Sequence, residues 1–413
     1  MSALSKGSRL KDPIVPLLVA ITLLKLALAN IWGWTYDIPQ MRYSAEAFLA
    51  GQDILDPANT HGNHAFFPIG HHIIAAAALR LAYVSDIPFA FLIKVPAIFA
   101  DLIIALLLKS TVRGGDRAAL LYLLNPVTFL LSVYHGQLHT VATAGVVLTL
   151  WLAERKRLYS SAIVFGLAVS VRQHFAVLAI PIITMLKTAG DRLRFAGPLA
   201  ATLIIINAAL LTYARPDRLF SPAIQYGAWG YSMLLLQVPR VLGLLGFGAT
   251  ATAMADLNQI VILLSARINL LWAILFSGWI VAQSRLRKLD LWREALLYVL
   301  GMCALTPGIG VQWLVWAVPF WLVIDPRGAI YFNVLAGAFI AGSYWQWTLN
   351  AKYQVYSLTA HLDLVNQRDF SGVLLVGLLG LLTWLHIVGT AWRLAVNSPM
   401  ANEHRTAGEG AGA

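Results

Sequence analysis

Twelve apolar runs, most of them near the length that crosses a bilayer, alternate with short loops in which the basic residues gather, and this pattern constrains the fold more than any other feature of the chain. Backbone in hydrocarbon must satisfy its own hydrogen bonds, so runs of this kind fold as helices. They lie near 14–33, 88–108, 118–134, 138–153, 158–170, 173–187, 196–213, 258–283, 291–306, 309–324, 328–349 and 371–392. With 59% hydrophobic and 12% charged residues, the chain carries more apolar side chain than a soluble domain can hide. The expectation is an all-α, polytopic membrane protein of about twelve transmembrane helices in one domain, residues 1–395. The Gly/Ala-rich tail 396–413 reads as disordered and cytoplasmic.

A net charge of +11 raises the question of nucleic acid, but the basic residues sit between apolar runs and mark topology, so no nucleic-acid partner is expected. With a cytoplasmic N-terminus, the loops "KSTVRGGDR", "ERKR", "KTAGDRLR", "SRLRKLDLWRE" and "DPRG" fall inside with both tails, which puts nineteen of the 30 Lys and Arg there. A full span at 66–83 would reverse that bias, so this segment reads as an interfacial or re-entrant helix of the first outer loop, as does 232–248. The basic start runs into apolar sequence without a small-residue cleavage site, the pattern of a retained first span. No Asn-x-Ser/Thr acceptor occurs, which points to a bacterial inner membrane, or to the ER membrane if the chain is eukaryotic. The lone Cys303 has no intrachain disulfide partner. Runs 158–170 and 173–187 are short for a span of roughly 20 residues, and they meet at "VRQH". Short helices there would leave a groove open to lipid, with room for a lipid-linked substrate.

In so apolar a chain the polar residues at the outer face are the candidates for chemistry. Asp37 stands just past the first run, at the head of the loop "TYDIPQMRYSAEAFLAGQDILDPANTHGNHAFFP", beside Trp32, Trp34 and Tyr36. Met41–Leu49 is amphipathic and stops at Gly51, as an interfacial helix would. Glu46, Asp53 and Asp56 follow, read either as solvated acids or, for Glu46, as an acceptor or lipid contact. The stretch "YHGQLH" brings His135, Gln137 and His139 around a Gly136 turn, where substrate or phosphate contact, a helix cap and a zinc pair are the three readings. Arg172, Gln173 and His174 interrupt an apolar run, and an arginine there needs water, a carboxylate or a phosphate. Lys94 and Arg267 stand near outer span ends and either add positive charge or snorkel. Asp101 is too deep for chemistry beside Asp37 and reads as a buried structural hydrogen bond. His61, His64, His71 and His72 are irregularly spaced, so no metal site is assigned and no cofactor is expected, a divalent ion being the alternative. Gln312, Trp313 and Trp316 follow the outer turn "TPGIG", just inside the membrane from it, as membrane anchors or as contacts for sugar or lipid.

Taken in order, these pieces resemble the GT-C superfamily of polyprenyl-phosphate-dependent glycosyltransferases, most nearly the branch of the catalytic subunit of the first GPI mannosyltransferase and its bacterial relatives. Asp37 occupies the second position of that branch's Asp-x-Asp, Gly51 its glycine and "FFPIG" (66–70) its Tyr-x-Pro segment. Lys94 to Leu102 matches its basic-to-Asp-Leu helix, and Asn125-Pro126, Gly136-Gln137, Arg172 and Gln312 to Trp316 follow in order. The match covers residues 10 to about 185, with an echo at 305–320. Thr35 stands where a first aspartate would be, His139 where relatives carry an acid, and Arg172 where they carry lysine. The resemblance implies an inverting hexosyl transfer, such as mannosyl transfer, from a polyprenyl-phosphate sugar to a lipid or glycan acceptor on the non-cytoplasmic face. Asp37 would be the general base, with Arg172, Gln173, His174 and the 135–139 turn near the donor phosphate. A transporter or flippase of a lipid-linked or small polar substrate is the alternative, and a non-catalytic subunit of a membrane complex a third reading.

Overall fold

A computed structural model describes residues 13–33, 37–56, 58–59, 67–210, 269–287, 289–306, 308–349 and 373–396, with isolated positions between 230 and 264. The described residues are built of helices, as the apolar runs require. In order come α1 (Ile14–Ile31), α2 (Asp37–Leu49), α3 (Ile69–Ser85), α4 (Phe89–Leu92), α5 (Val95–Thr111), α6 (Gly115–Leu123), α7 (Pro126–Phe129), α8 (His139–Glu154), α9 (Leu158–Val171), α10 (Ala179–Met185) and α11 (Ala189–Leu210). Then follow α12 (Asn269–Arg287), α13 (Leu291–Leu305), α14 (Ala317–Ile324), α15 (Pro326–Leu349) and α16 (Leu379–Val396).

Three helices among the described residues are long and apolar enough to cross a membrane: Ile14–Ile31, Phe89–Thr111 and Leu375–Val396. Where the apolar run 118–134 led us to expect one helix, there is instead a bent pair, Gly115–Leu123 and Pro126–His135, at 44°, a broken span or a re-entrant loop. The cause is local. Pro126 has no N–H to continue α6, and the Asn125 side chain caps the next turn by accepting from Val127 N at 2.8 Å. Other apolar helices are shorter, including α3, α8, α9, the pair Gln173–Met185 and the pair Val311–Ile324. The 14 residues of α9 rise about 21 Å against a hydrocarbon thickness of about 30 Å.

The break at "VRQH" falls at Arg172, between α9 and a 3₁₀ turn at Gln173–Leu178. Gly51 ends α2 in the left-handed region at φ +69. There Gln52 N donates to Ala47 O at 3.0 Å and Gly51 N to Phe48 O at 3.1 Å, the paired closure of a Schellman motif. A large core runs through the bundle, with Trp292, Trp316, Trp321, Tyr298 and Phe320 fully buried on the C-terminal side. Below α2, Lys25 of α1 and Asp101 of α5 form a buried ion pair at 2.8 Å, 2% and 0% exposed. Asp101 also accepts from Ser132 Oγ at 2.6 Å and Tyr122 Oη at 3.2 Å, the structural role expected of it.

Candidate active site

Asp37 is the first residue of α2, where the unpaired N–H groups of an opening helical turn favour a negative charge. Its side chain is 15% exposed, the most accessible part of a hydrogen-bonded group drawn from five places in the chain. Oδ2 is paired with His135 Nε2 and accepts from Gln137 Nε2 at 2.6 Å. His135 Nδ1 meets Tyr344 Oη on α15, so with the phenol donating to Nδ1 the ring presents its Nε2–H to Asp37. Gln137 Oε1 accepts from an Arg172 N–H at 2.9 Å. The amide of Gln137 therefore spans a cation and an anion, and both ends fix its orientation.

Each partner is placed by a local backbone feature. A π-helical turn, Leu130–His135, ends at Gly136, whose φ of +75 turns the chain so that His135 and Gln137 face the same carboxylate. A side chain at Gly136 would also press on Lys94, since its Cβ would lie 2.9 Å from Lys94 Cγ. Lys94, at the head of α5, is buried and donates to Ala29 O at 2.8 Å and to Trp32 O, carbonyls at the end of α1. Its charge thus closes the helix that precedes Asp37. Arg172 is 0% exposed at the gap after α9. It donates to Val171 O at 2.9 Å and His71 Nδ1 at 3.1 Å, and its guanidinium lies 4.2 Å from the centre of the Phe67 ring. From sequence, the Arg172 fork reads as bound to a phosphate at the floor of a groove, as snorkelling, or as paired with Asp37. In the structure Arg172 lies behind Gln137 and reaches Asp37 through that amide.

The remaining predicted residues form a second group. His174 packs on Trp313 with centroids 4.5 Å apart, His139 stacks on Trp316 at 5.2 Å, and Trp313 stacks on Trp316 at 4.9 Å. Gln312 is buried in the same 3₁₀ turn, Val311–Trp316, and Gln173 opens the turn after Arg172. Glu46 stays on the surface of α2, paired with Arg42 at 2.9 Å one helical turn away. Arg267, His61, His64, Trp34 to Tyr36 and residues 397–413 lie outside the described residues. Among the described residues no group of three His, Cys, Asp or Glu is placed to hold a metal ion. Tyr344, 209 positions from His135, carried no signal in the sequence. His71 and His72 did, though as loop histidines: His71 touches Arg172, and His72 bridges Ser44 of α2 to the backbone oxygen of Phe67.

A carboxylate with two donors on one oxygen, a reachable surface and a buried cation one amide away can hold a negative charge and take a proton from a hydroxyl set beside it. His135 is poorly suited to that task, because both ring nitrogens are already engaged. Comparison with protein-family models, curated proteins and solved structures finds no match, so the reading of this site rests on its residues and their geometry.

Proposed function

We propose that this chain is a membrane glycosyltransferase of the GT-C type, moving a hexose, such as mannose, from a polyprenyl-phosphate donor to a lipid or glycan acceptor on the non-cytoplasmic face. The proposal includes about twelve spans and cytoplasmic termini. Asp37 takes the proton of the acceptor hydroxyl as that oxygen attacks the anomeric carbon. The bond to the phosphate oxygen breaks on the opposite side of the sugar, its electron pair leaves with polyprenyl phosphate, and the configuration inverts. The departing group is already a phosphate, so it needs no general acid, only donors and positive charge. His135 and Gln137 hold Asp37 in place, Arg172 behind them supplies the nearest positive charge to the site, and Trp313, His174 and Gln312 are the candidate wall for sugar or lipid.

The observation that supports this reading is the meeting of Asp37, His135, Gln137 and Arg172 in one hydrogen-bonded group, although 98 positions separate the first two. The test is to incubate purified protein with a panel of polyprenyl-phosphate sugars and measure released polyprenyl phosphate, with and without EDTA. Asp37→Asn should lose at least about a hundredfold in rate, the lower end for removal of a positioned base, while remaining folded in the membrane. Full transfer by that variant would sink the reading.

The transporter reading draws on the breaks at Leu124–Asn125 and Arg172, since interrupted helices line substrate sites in carriers. Uptake of a lipid-linked or small polar substrate by Asp37→Asn vesicles, with no sugar transfer by the wild type, would favour it.

A further inference from the structure

The break that bends α6 against α7 opens a groove of about 250 Å³ against α15, apart from the Asp37 group. Leu120, Leu121 and Leu124 line one wall, Ile330 and Val334 the other, and Arg117, Asn125 and Asn333 are its polar groups. Two of these are under strain of a chemical kind. Asn125 is 2% exposed and Asn333 6%. Asn125 Nδ2 and Asn333 Oδ1 are buried without hydrogen-bond partners. The orientation of Asn125 is fixed, because its Oδ1 accepts from Val127 N, which leaves its N–H groups as the unpartnered atoms of this lining residue. A buried amide without a partner is destabilising and rare in native proteins. Arg117 sits at one end of the groove, and the neighbouring Asp116 is taken by Lys109.

We infer that this groove holds one anionic phospholipid, with its phosphate on Arg117, its glycerol ester oxygens on the Asn125 and Asn333 amides and an acyl chain along Leu120, Leu124, Ile330 and Val334. The order of groups fits the order within such a lipid. Arg117 precedes Asn125 by eight residues, about 12 Å of helix rise, so its long side chain has to turn along the groove to bring a phosphate toward esters held at Asn125. Those carbonyls accept hydrogen bonds, which Asn125 Nδ2 lacks. Asn333 Oδ1 has no hydrogen-bond partner, and turning its terminal amide by half a rotation would bring its N–H groups to the same ester. The cation selects a net negative headgroup over a zwitterionic one, as basic pockets between membrane helices do.

Native mass spectrometry of the full chain, delipidated in detergent and titrated with phosphatidylglycerol, phosphatidylcholine or sodium phosphate, tests this. One retained phosphatidylglycerol is expected, about tenfold tighter than phosphatidylcholine, and Arg117→Gln should remove about that tenfold by deleting a charge-assisted hydrogen bond. Val334→Trp should block uptake by filling the groove from a position that is 63% exposed, so the fold is not at stake. Equal uptake of both lipids overturns the inference, as does uptake unchanged by both variants. Retention of phosphate alone makes it an inorganic anion site, and no uptake by the wild type means the protein fills its own groove; each of these also overturns it.

Discussion

At the scale of single residues, Gln137 is the most informative position after Asp37. Its amide gives Arg172 an acceptor and Asp37 a donor, so Gln137→Leu removes both and leaves a buried guanidinium one acceptor short. We expect a loss of about 1–3 kcal/mol in stability, read as a lower thermal midpoint in detergent, together with impaired transfer. Gly136→Ala should behave differently, because it forces a Cβ into a left-handed turn and against Lys94. A loss of about 1–2 kcal/mol is expected from the backbone alone, with the midpoint lowered even when the Asp37 group is intact. Much of this group was legible in the sequence, since polar residues in an apolar chain are costly and have to answer for themselves. Asp37, His135, Gln137 and Arg172 stand out for that reason. Tyr344 does not, because a tyrosine near the end of an apolar run is unremarkable until the fold brings it to His135. The depth of Arg172 was not legible either: the sequence places it along its helix but says nothing of the Gln137 amide in front of it.

At the scale of elements, α1 and α5 are joined by Lys25 and Asp101 in the core and by Lys94 at the end of α1. Removing one partner of a buried pair strands the other charge. Asp101→Ala should therefore cost about 3–5 kcal/mol, and adding Lys25→Met should recover most of the loss. Thermal unfolding of the two variants in the same detergent checks this, and equal midpoints would show that the pair does not join the helices. α2 is closed at its C-terminal end by the Schellman closure at Gly51, and Lys94 closes the end of α1 that precedes it. Several helices followed from the apolar runs, as α8 at His139–Glu154 and α13 at Leu291–Leu305 illustrate, while α11 and α12 are displaced by several residues from the runs 196–213 and 258–283. The bend at Asn125 was missed because hydropathy runs through it unbroken; only Pro126 hinted at it.

At the scale of the whole molecule, the proposed topology puts the Asp37 loop and the "KTAGDRLR" loop on opposite sides of the membrane. Gln52→Cys and Lys187→Cys, both at exposed positions, should then react with an impermeant maleimide from opposite faces of sealed vesicles. The native Cys303 is buried and should stay silent in that assay. Labelling of both from one face would refute the assignment. The charge carried by the Asp37 group has its own consequence for the proposed reaction. Before transfer, Arg172 and an ionised Asp37 sum to zero, which lowers the cost of keeping either in an apolar bundle. When Asp37 takes the acceptor proton, one unit of negative charge leaves the protein and reappears on the departing phosphate. The group becomes cationic at the moment its product becomes more anionic, so the same amide link that steadies the resting site would turn it into a counter-ion for the leaving lipid.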